Sequence, residues 1–354
     1  MHIMSIVGAR PQFIKLAPFS AEVRRRGHQE TVVHTGQHYD EGMSARFFME
    51  LDMAEPATNL AIGSGGHGKM TARALEGIEL EIMVRKPDIV VVFGDTNSTL
   101  AGALAAAKLG VRSAHIEAGM RSFDRAAPEE VNRIVADHCC DLLLASNETA
   151  VSHLTAEGLG DRTTLVGDIM TDTLNYAISR APAAGEVLRR LRLPEAPFVL
   201  LTVHRAVNTD DPGKLRSILD GVTGAKMVVF PVHPRTRAVI SQHGIVLPAN
   251  VHHVEPLGYF DNLSLQRGAD VVATDSGGMQ KEAYLLETPC VTLREETEWT
   301  ETLELGWNVL TGSDSERIAA ALAAPPRGGT HPPVYGEGHA AAAILDAIEG
   351  AFRR

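Results

Sequence analysis

The chain has 354 residues, 44% of them apolar and 22% charged, with a formal net charge of −11. That length exceeds what one compact core organises and predicts two domains, and no apolar run approaches the ~18 residues of a membrane span. The acidic balance argues against nucleic acid or an anionic membrane as partner, so an anionic ligand needs arginines and lysines concentrated in one place.

The N-terminus, Met1-His2-Ile3-Met4-Ser5, enters a strand directly and has no signal-peptide pattern. Cys139, Cys140 and Cys290 form neither a disulfide framework nor a metal spacing, which points to a reducing, cytoplasmic setting. His2–Val7 reads as a short apolar strand, turning at Gly8-Ala9-Arg10-Pro11 into a helix from Gln12 to about Arg26. Proline suits a helix's first turn, so Arg10 and Lys15 flank a helix N-terminus at a strand's carboxyl end, where anions bind. A solvated basic helix end explains these two residues equally well. The stretch is neither a Walker loop nor a GxGxxG fingerprint.

Glu30–Thr35 is the next expected strand, and a helix is expected at Lys69–Arg85 after a glycine-rich loop. Short apolar strands then alternate with helices as far as Val166, which means a parallel sheet wrapped by helices. The residues that directly follow strands include Asp95 (in GDTNST) and Glu117 (in HIEAGMRS), and Glu129 opens a helix after Pro128. Three carboxylates on consecutive βα units could share one small volume and raise one another's pKa, as general acid–base chemistry needs. Helix capping by Asp95 and Glu129, with Glu117 paired to Arg121 or Arg133, is the structural alternative.

An Ala-, Pro- and Arg-rich stretch follows, with the domain hinge expected around Thr171–Ala184. The βα pattern then restarts at Phe198 as a second doubly wound domain. Two such domains facing each other bind ligand at the carboxyl ends of their strands. His204 follows the first of these strands, in TVHR, and is the histidine singled out from the 15 in the chain as a donor to a diphosphate. Val271–Glu287 holds the densest signal: an apolar strand, then Asp275-Ser276-Gly277-Gly278, then a helix with Glu282 one turn in. The free N–H groups of that helix start suit a diphosphate, and a carboxylate one turn along suits the two hydroxyls of a ribose. Phosphate cradle plus diol acceptor reads as a nucleotide site; a strand–turn–helix corner with a serine cap is the plainer account. No His/Cys/Asp cluster has metal spacing, and no serine elbow or Cys–His pair indicates covalent catalysis.

Taken together, GARPQFIK (8–15), GDTNST (94–99), HIEAGMRS (115–122), PEEVNR (128–133), TVHR (202–205), PVHP (231–234), DSGGMQKEA (275–283) and LREETEW (293–299) resemble the non-hydrolysing UDP-N-acetylglucosamine 2-epimerase family. The resemblance covers nearly the whole chain, in order. It implies two Rossmann-like domains facing a cleft, as in one large glycosyltransferase class. The N-terminal domain, 1–172, carries the catalytic carboxylates and is completed by a returning C-terminal helix, 338–354; the UDP-binding domain is 173–337. It implies a cytoplasmic homodimer that serves cell-surface polysaccharide synthesis. Asp95, Glu117, Glu129 and His204 fall on catalytic positions. Arg10, Lys15, Ser276, Gly277, Gly278, Glu282 and Arg294 fall on positions that hold the UDP-sugar.

The chain departs from the family in places. Val207 stands where HRxEN has a carboxylate, and Trp299-Thr300 interrupt the usual TERPE. Asp40 and Ser64–Gly68 do not match the activator site of some bacterial members. RPQF and the TEW ending also resemble the branch that epimerises UDP-2,3-diacetamido-glucuronic acid. No net redox change occurs in a 2-epimerisation, so no nicotinamide or other cofactor is expected. The ordinary UDP-N-acetylglucosamine substrate is the first expectation, ahead of that uronate and of a glycosyltransferase of the same fold.

Overall fold

The computed structural model describes residues 1–37 and 53–352. Asp40 lies outside the described residues. The chain divides into two units, Met1–Tyr176 with Pro333–Arg354, and Ala177–Pro332.

Unbroken aliphatic runs such as IVVVF bury every residue, as strands covered on both faces must. In the first unit, seven strands are described: β1 (His2–Val7), β2 (Gln29–His34), β3 (Thr58–Asn59), β4 (Ile89–Phe93), β5 (Arg112–Ala118), β6 (Leu142–Ala145) and β7 (Thr163–Leu165). They form one parallel sheet in the order β3-β2-β1-β4-β5-β6-β7. The crossovers use α1 (Arg10–Arg25), α2 (His67–Arg85), α3 (Asn97–Leu109), α4 (Pro128–Cys139) and α5 (Glu148–Ala156); α6 (Ile169–Ile178) leads out of the unit. The strand order reverses between β1 and β4. In an open parallel sheet that switch point opens a crevice at the strands' carboxyl ends.

The second unit repeats the plan. Its strands are β8 (Val199–Thr202), β9 (Val228–Pro231), β10 (Val251–Val254), β11 (Val271–Thr274), β12 (Cys290–Thr292) and β13 (Asn308–Leu310), all parallel, in the order β10-β9-β8-β11-β12-β13. Its switch point lies between β8 and β11. The helices are α7 (Ala184–Arg190), α8 (Ala206–Thr209), α9 (Pro212–Gly221), α10 (Pro234–Gln242), α11 (Tyr259–Gly268), α12 (Gly277–Leu285), α13 (Thr300–Glu304) and α14 (Ser315–Ala323). The short pieces β3, β13, α8 and α13 were not expected, because two to five residues carry no periodic signal.

The last helix, α15 (Ala340–Phe352), belongs to the first unit. Ala340, Ala341, Ile344, Leu345 and Ile348 join the core formed by Phe13, Leu16, Phe19 and Val23 of α1. The Asp172 carboxylate accepts from the free N–H groups of Ala340 and Ala341, both at 3.0 Å, and so anchors the helix start. Arg26 reaches Asp346 at 2.6 Å. Ile344 is fully buried in this seam. Ile344→Ala is expected to lower unfolding free energy by ~2–5 kcal/mol, read from the urea midpoint.

Candidate functional site

In the first unit the site is built from the ends of β4 and β5 and the start of α1. Gln12, buried, fastens these parts. Its Oε1 accepts from the N–H groups of Gly8 (2.7 Å) and Ala9 (3.1 Å), and its Nε2 donates to the Phe93 carbonyl at 2.7 Å. Gln12 of the RPQF motif is therefore part of the scaffold. Gly8 has no room for a side chain: a Cβ there would lie 2.1 Å from Ser98 Oγ and 2.2 Å from Thr35 Oγ1.

Arg10 is the first residue of α1. Lys15, one turn along and buried, forms an ion pair with Glu117. Glu117 is not paired with Arg121 or Arg133, the partners considered from sequence. Arg121 instead holds Asp137 and Glu157, each at 2.8 Å. Arg133 holds Asp95 at 2.5 Å and Glu130 at 2.9 Å. Asp95 does not cap α3; Thr96 does, accepting from the Thr99 N–H. Asp95 and Glu117 each have a cation of their own. Gly94 directly precedes Asp95 of one pair in sequence and lies against the other pair in space. A Cβ on it would stand 3.1 Å from Lys15 Nζ and 3.3 Å from Glu117 Oε2.

Of the two acids in PEE, Glu129 is exposed on the first turn of α4 and Glu130 is the buried one. Glu130 accepts from the backbone N–H groups of Ser122 (2.9 Å) and Phe123 (3.0 Å). Burial pushes its carboxyl up, but these N–H groups and Arg133 outweigh burial and hold it below the usual range. Glu130 thus ties down the loop before α4, while Glu129 is left exposed.

In the second unit the site lies at the β8/β11 switch point. Asp275, fully buried directly after β11, was read from sequence only as part of a turn. Its carboxylate accepts from the backbone N–H groups of His204 (3.0 Å) and Arg205 (2.9 Å), from Asn208 Nδ2 (3.1 Å), and lies 3.1 Å from His204 Nδ1. Burial raises its pKa, but His204 and these donors outweigh burial and lower it. The signal was available: an aspartate at a strand's carboxyl end, before a helix, with a histidine just past the end of another strand. His204 remains partly exposed, 40% by side chain, with Nδ1 turned to Asp275.

Ser276 caps α12, its Oγ accepting from the Met279 N–H at 3.4 Å. The helix begins at Gly277, one residue earlier than expected, and neither glycine has positive φ. Both glycines therefore belong to the helix, and they serve different ends. A Cβ on Gly277 would meet Glu298 Oε1 at 2.3 Å, whereas one on Gly278 would meet only Ser276 Oγ at 4.0 Å. Gly277 makes room for a carboxylate of its own unit; Gly278 leaves the helix start open. Glu282, 5% exposed, accepts from Gln266 Nε2 at 2.8 Å. Arg294 pairs with Glu298 at 2.9 Å, and Lys281 Nζ stands 4.3 Å over the Trp299 ring. Burial raises the Glu298 pKa, but Arg294 and Arg205 outweigh burial and lower it. Lys281, Arg205 and Glu298 were not singled out from sequence; Glu298, which follows β12, comes against Gly277 only once β11 and β12 are paired. Val207 is 57% exposed.

Among the described residues, no group of three or more His, Cys, Asp or Glu could hold a metal ion, and no helix is long and apolar enough to cross a membrane.

Comparison with known proteins fits this geometry. The sequence model of the UDP-N-acetylglucosamine 2-epimerase family matches residues 21–349. The chain is 44% identical to a UDP-N-acetylglucosamine 2-epimerase homolog of Methanococcus maripaludis, over 98% of this chain and 99% of that one. It is also 44% identical to UDP-2,3-diacetamido-2,3-dideoxy-D-glucuronate 2-epimerase of Pseudomonas aeruginosa, over 90% of each chain. Its fold is similar to UDP-GlcNAc 2-epimerase of Methanocaldococcus jannaschii, solved in complex with UDP-GlcNAc and UDP. The TM-score is 0.91 at 36% identity, covering 99% of this chain and 100% of that one.

Asp275 binds its proton less readily folded than unfolded. Its contribution to stability is therefore complete above the ordinary aspartate value of ~4 and is lost as pH falls through the lower folded value. Asp275→Asn is expected to reduce stability by ~1–3 kcal/mol near neutral pH and to flatten the acid limb of the stability curve. Urea melts of both proteins, run from neutral pH downward, check both expectations.

Proposed function

The chain belongs to the UDP-N-acetylglucosamine 2-epimerase family, and we propose that it interconverts UDP-N-acetylglucosamine and UDP-N-acetylmannosamine by eliminating and re-adding UDP. One observation carries the reading. Each unit places charged groups at the switch point of its own sheet, acids with cations in the first and an open helix start with a histidine in the second.

The chemistry explains why both sets are needed. The C2–H bond of an N-acetylhexosamine has no adjacent carbonyl, so its proton is barely acidic. When the C1–O bond to UDP breaks, the ring becomes oxocarbenium-like and that proton can leave. The products of this half are UDP and 2-acetamidoglucal. Re-addition of UDP at C1, with protonation of C2 from the other face, completes the inversion. The α12 start at Ser276–Gly278, His204, Arg10, Lys15 and Arg294 stabilise the departing diphosphate and its sugar. Glu282 accepts from the ribose hydroxyls. Asp95, Glu117 and Glu129 carry the proton transfers at C2. A homodimer acting in the cytoplasm is part of this proposal.

A second reading has support of its own. The Pseudomonas aeruginosa relative, which acts on the diacetamido-glucuronate, matches at 44% identity, and Trp299, of the TEW ending, is buried beneath Lys281 beside Gly277. Gln12 adds nothing to that choice, since its side chain is committed to the scaffold.

Incubation with UDP-N-acetylglucosamine alone in deuterated water decides among these. An epimerase gives a second nucleotide sugar and deuterium at C2, whereas a glycosyltransferase or a binding protein gives neither. The same incubation with the diacetamido uronate identifies the better substrate by kcat/KM. Asp95→Asn and Glu117→Gln are each expected to lower turnover and C2 exchange together, by at least ~10²-fold, with UDP affinity retained. If either folded variant keeps more than about a tenth of wild-type exchange, well outside that range, that carboxylate is not a proton carrier. Glu282→Ala is expected to weaken UDP binding by ~1.5–3 kcal/mol in calorimetry; unchanged affinity removes Glu282 from the ribose.

A further inference from the structure

Behind Asp95 and Glu117 lies a buried polar network that the proposed reaction does not use. His115, on β5, is fully buried and held at both ring nitrogens: Nδ1 lies 2.6 Å from Asp137 Oδ1 and Nε2 lies 2.7 Å from the Gly94 carbonyl oxygen. A carbonyl and an ionised carboxylate only accept, so both nitrogens donate. Asp137, also fully buried, accepts further from the Gly119 N–H at 3.1 Å and from Arg121 at 2.8 Å. Arg121 in turn holds Glu157. Burial raises the Asp137 pKa, but His115 and Arg121 outweigh burial and lower it.

What the network grips is the backbone of the two acids. Gly94 has φ +63, donates its N–H to the Ile116 carbonyl at 3.0 Å, and accepts from His115. The next residue is Asp95. The pairing of β5 with β6 slips between Ile116 and Ala118, leaving Glu117 as the extra residue of a bulge, with φ +71. Gly119, just beyond, has φ +82 and is the N–H that Asp137 holds. A non-glycine residue in the left-handed region persists only where its surroundings over-determine it, and bulges re-aim side chains.

We propose that His115 and Asp137 are positioning residues for proton transfer: His115 fixes the turn that bears Asp95, and Asp137 fixes the bulge that aims Glu117 at Lys15. This inference rests on Asp95 and Glu117 being the proton carriers. A neutral replacement at 115 of similar reach can make one of the two bonds, not both. An asparagine at 137 keeps the volume and loses the ionised acceptor.

The test compares H115Q, D137N, D95N and E117Q with wild type, each first shown to be folded by circular dichroism. H115Q and D137N are expected to lower kcat and C2 deuterium exchange by roughly 10²-fold, with KM and the UDP dissociation constant within about twofold of wild type. A merely structural role moves the melting temperature and the active fraction but not kcat per folded site. The positioning claim is overturned if folded H115Q and D137N turn over within about threefold of wild type, where a misplaced group costs about 10²-fold. It is also overturned if neither variant folds, since the pair is then a stability element. If D95N and E117Q themselves leave exchange intact, the proton-carrier reading fails and the positioning claim falls with it. If only H115Q and D137N are active, the reading stands and the positioning claim alone fails.

Discussion

Each unit buries one aspartate completely behind its switch point, and the strand ends around the site hang on it. Asp137 in the first unit and Asp275 in the second are both fully buried, both accept backbone N–H groups, and both face a histidine. Taking a carboxylate out of water costs several kcal/mol unless hydrogen bonds and a cation replace the water. Most of the donors that do so here belong to residues that follow β5 or β8. The requirement to satisfy the buried charge and the requirement to fix a turn are therefore met by the same bonds. In the second unit this leaves His204 with one nitrogen turned inward and its other edge toward solvent. In the first unit the histidine itself is buried and reaches through to the Gly94 carbonyl.

Much of the architecture was legible because parallel sheets announce themselves. Strands buried on both faces must be continuous aliphatic runs, and the helices between them must start near strand ends. Runs such as IVVVF and VVAT therefore located the sheets. Bounds shifted by a residue or two where a cap decided them. Ser276 ends the extended backbone and makes Gly277 the first helical residue, one position before the expected helix start.

The site was legible residue by residue but not pair by pair. Lys15 and Glu117 are 102 positions apart and meet only because β4 lies between β1 and β5 in the sheet. Asp95 and Arg133 meet across the β5 crossover. A reading along the chain identifies charges at strand ends but cannot assign partners among them, and it offered Arg121 and Arg133 to Glu117 when both were committed elsewhere. The two acids of PEE illustrate the limit at its smallest scale. Adjacent glutamates on one helix turn differ by about 100° of rotation. That angle puts Glu130 inside, on the Ser122 and Phe123 amides, and Glu129 outside.

The order of bond breaking in the proposed reaction follows from the substrate itself. The C2–H of an intact N-acetylhexosamine is barely acidic, whereas the same C–H on an oxocarbenium-like ring is strongly acidic. The proposed sequence is therefore one in which the C1–O bond breaks well ahead of the C2–H bond. In that sequence the largest demand falls on stabilising the departing diphosphate. A helix start with an open glycine, Gly278, beside a histidine whose inner nitrogen is held by a buried aspartate, is suited to it.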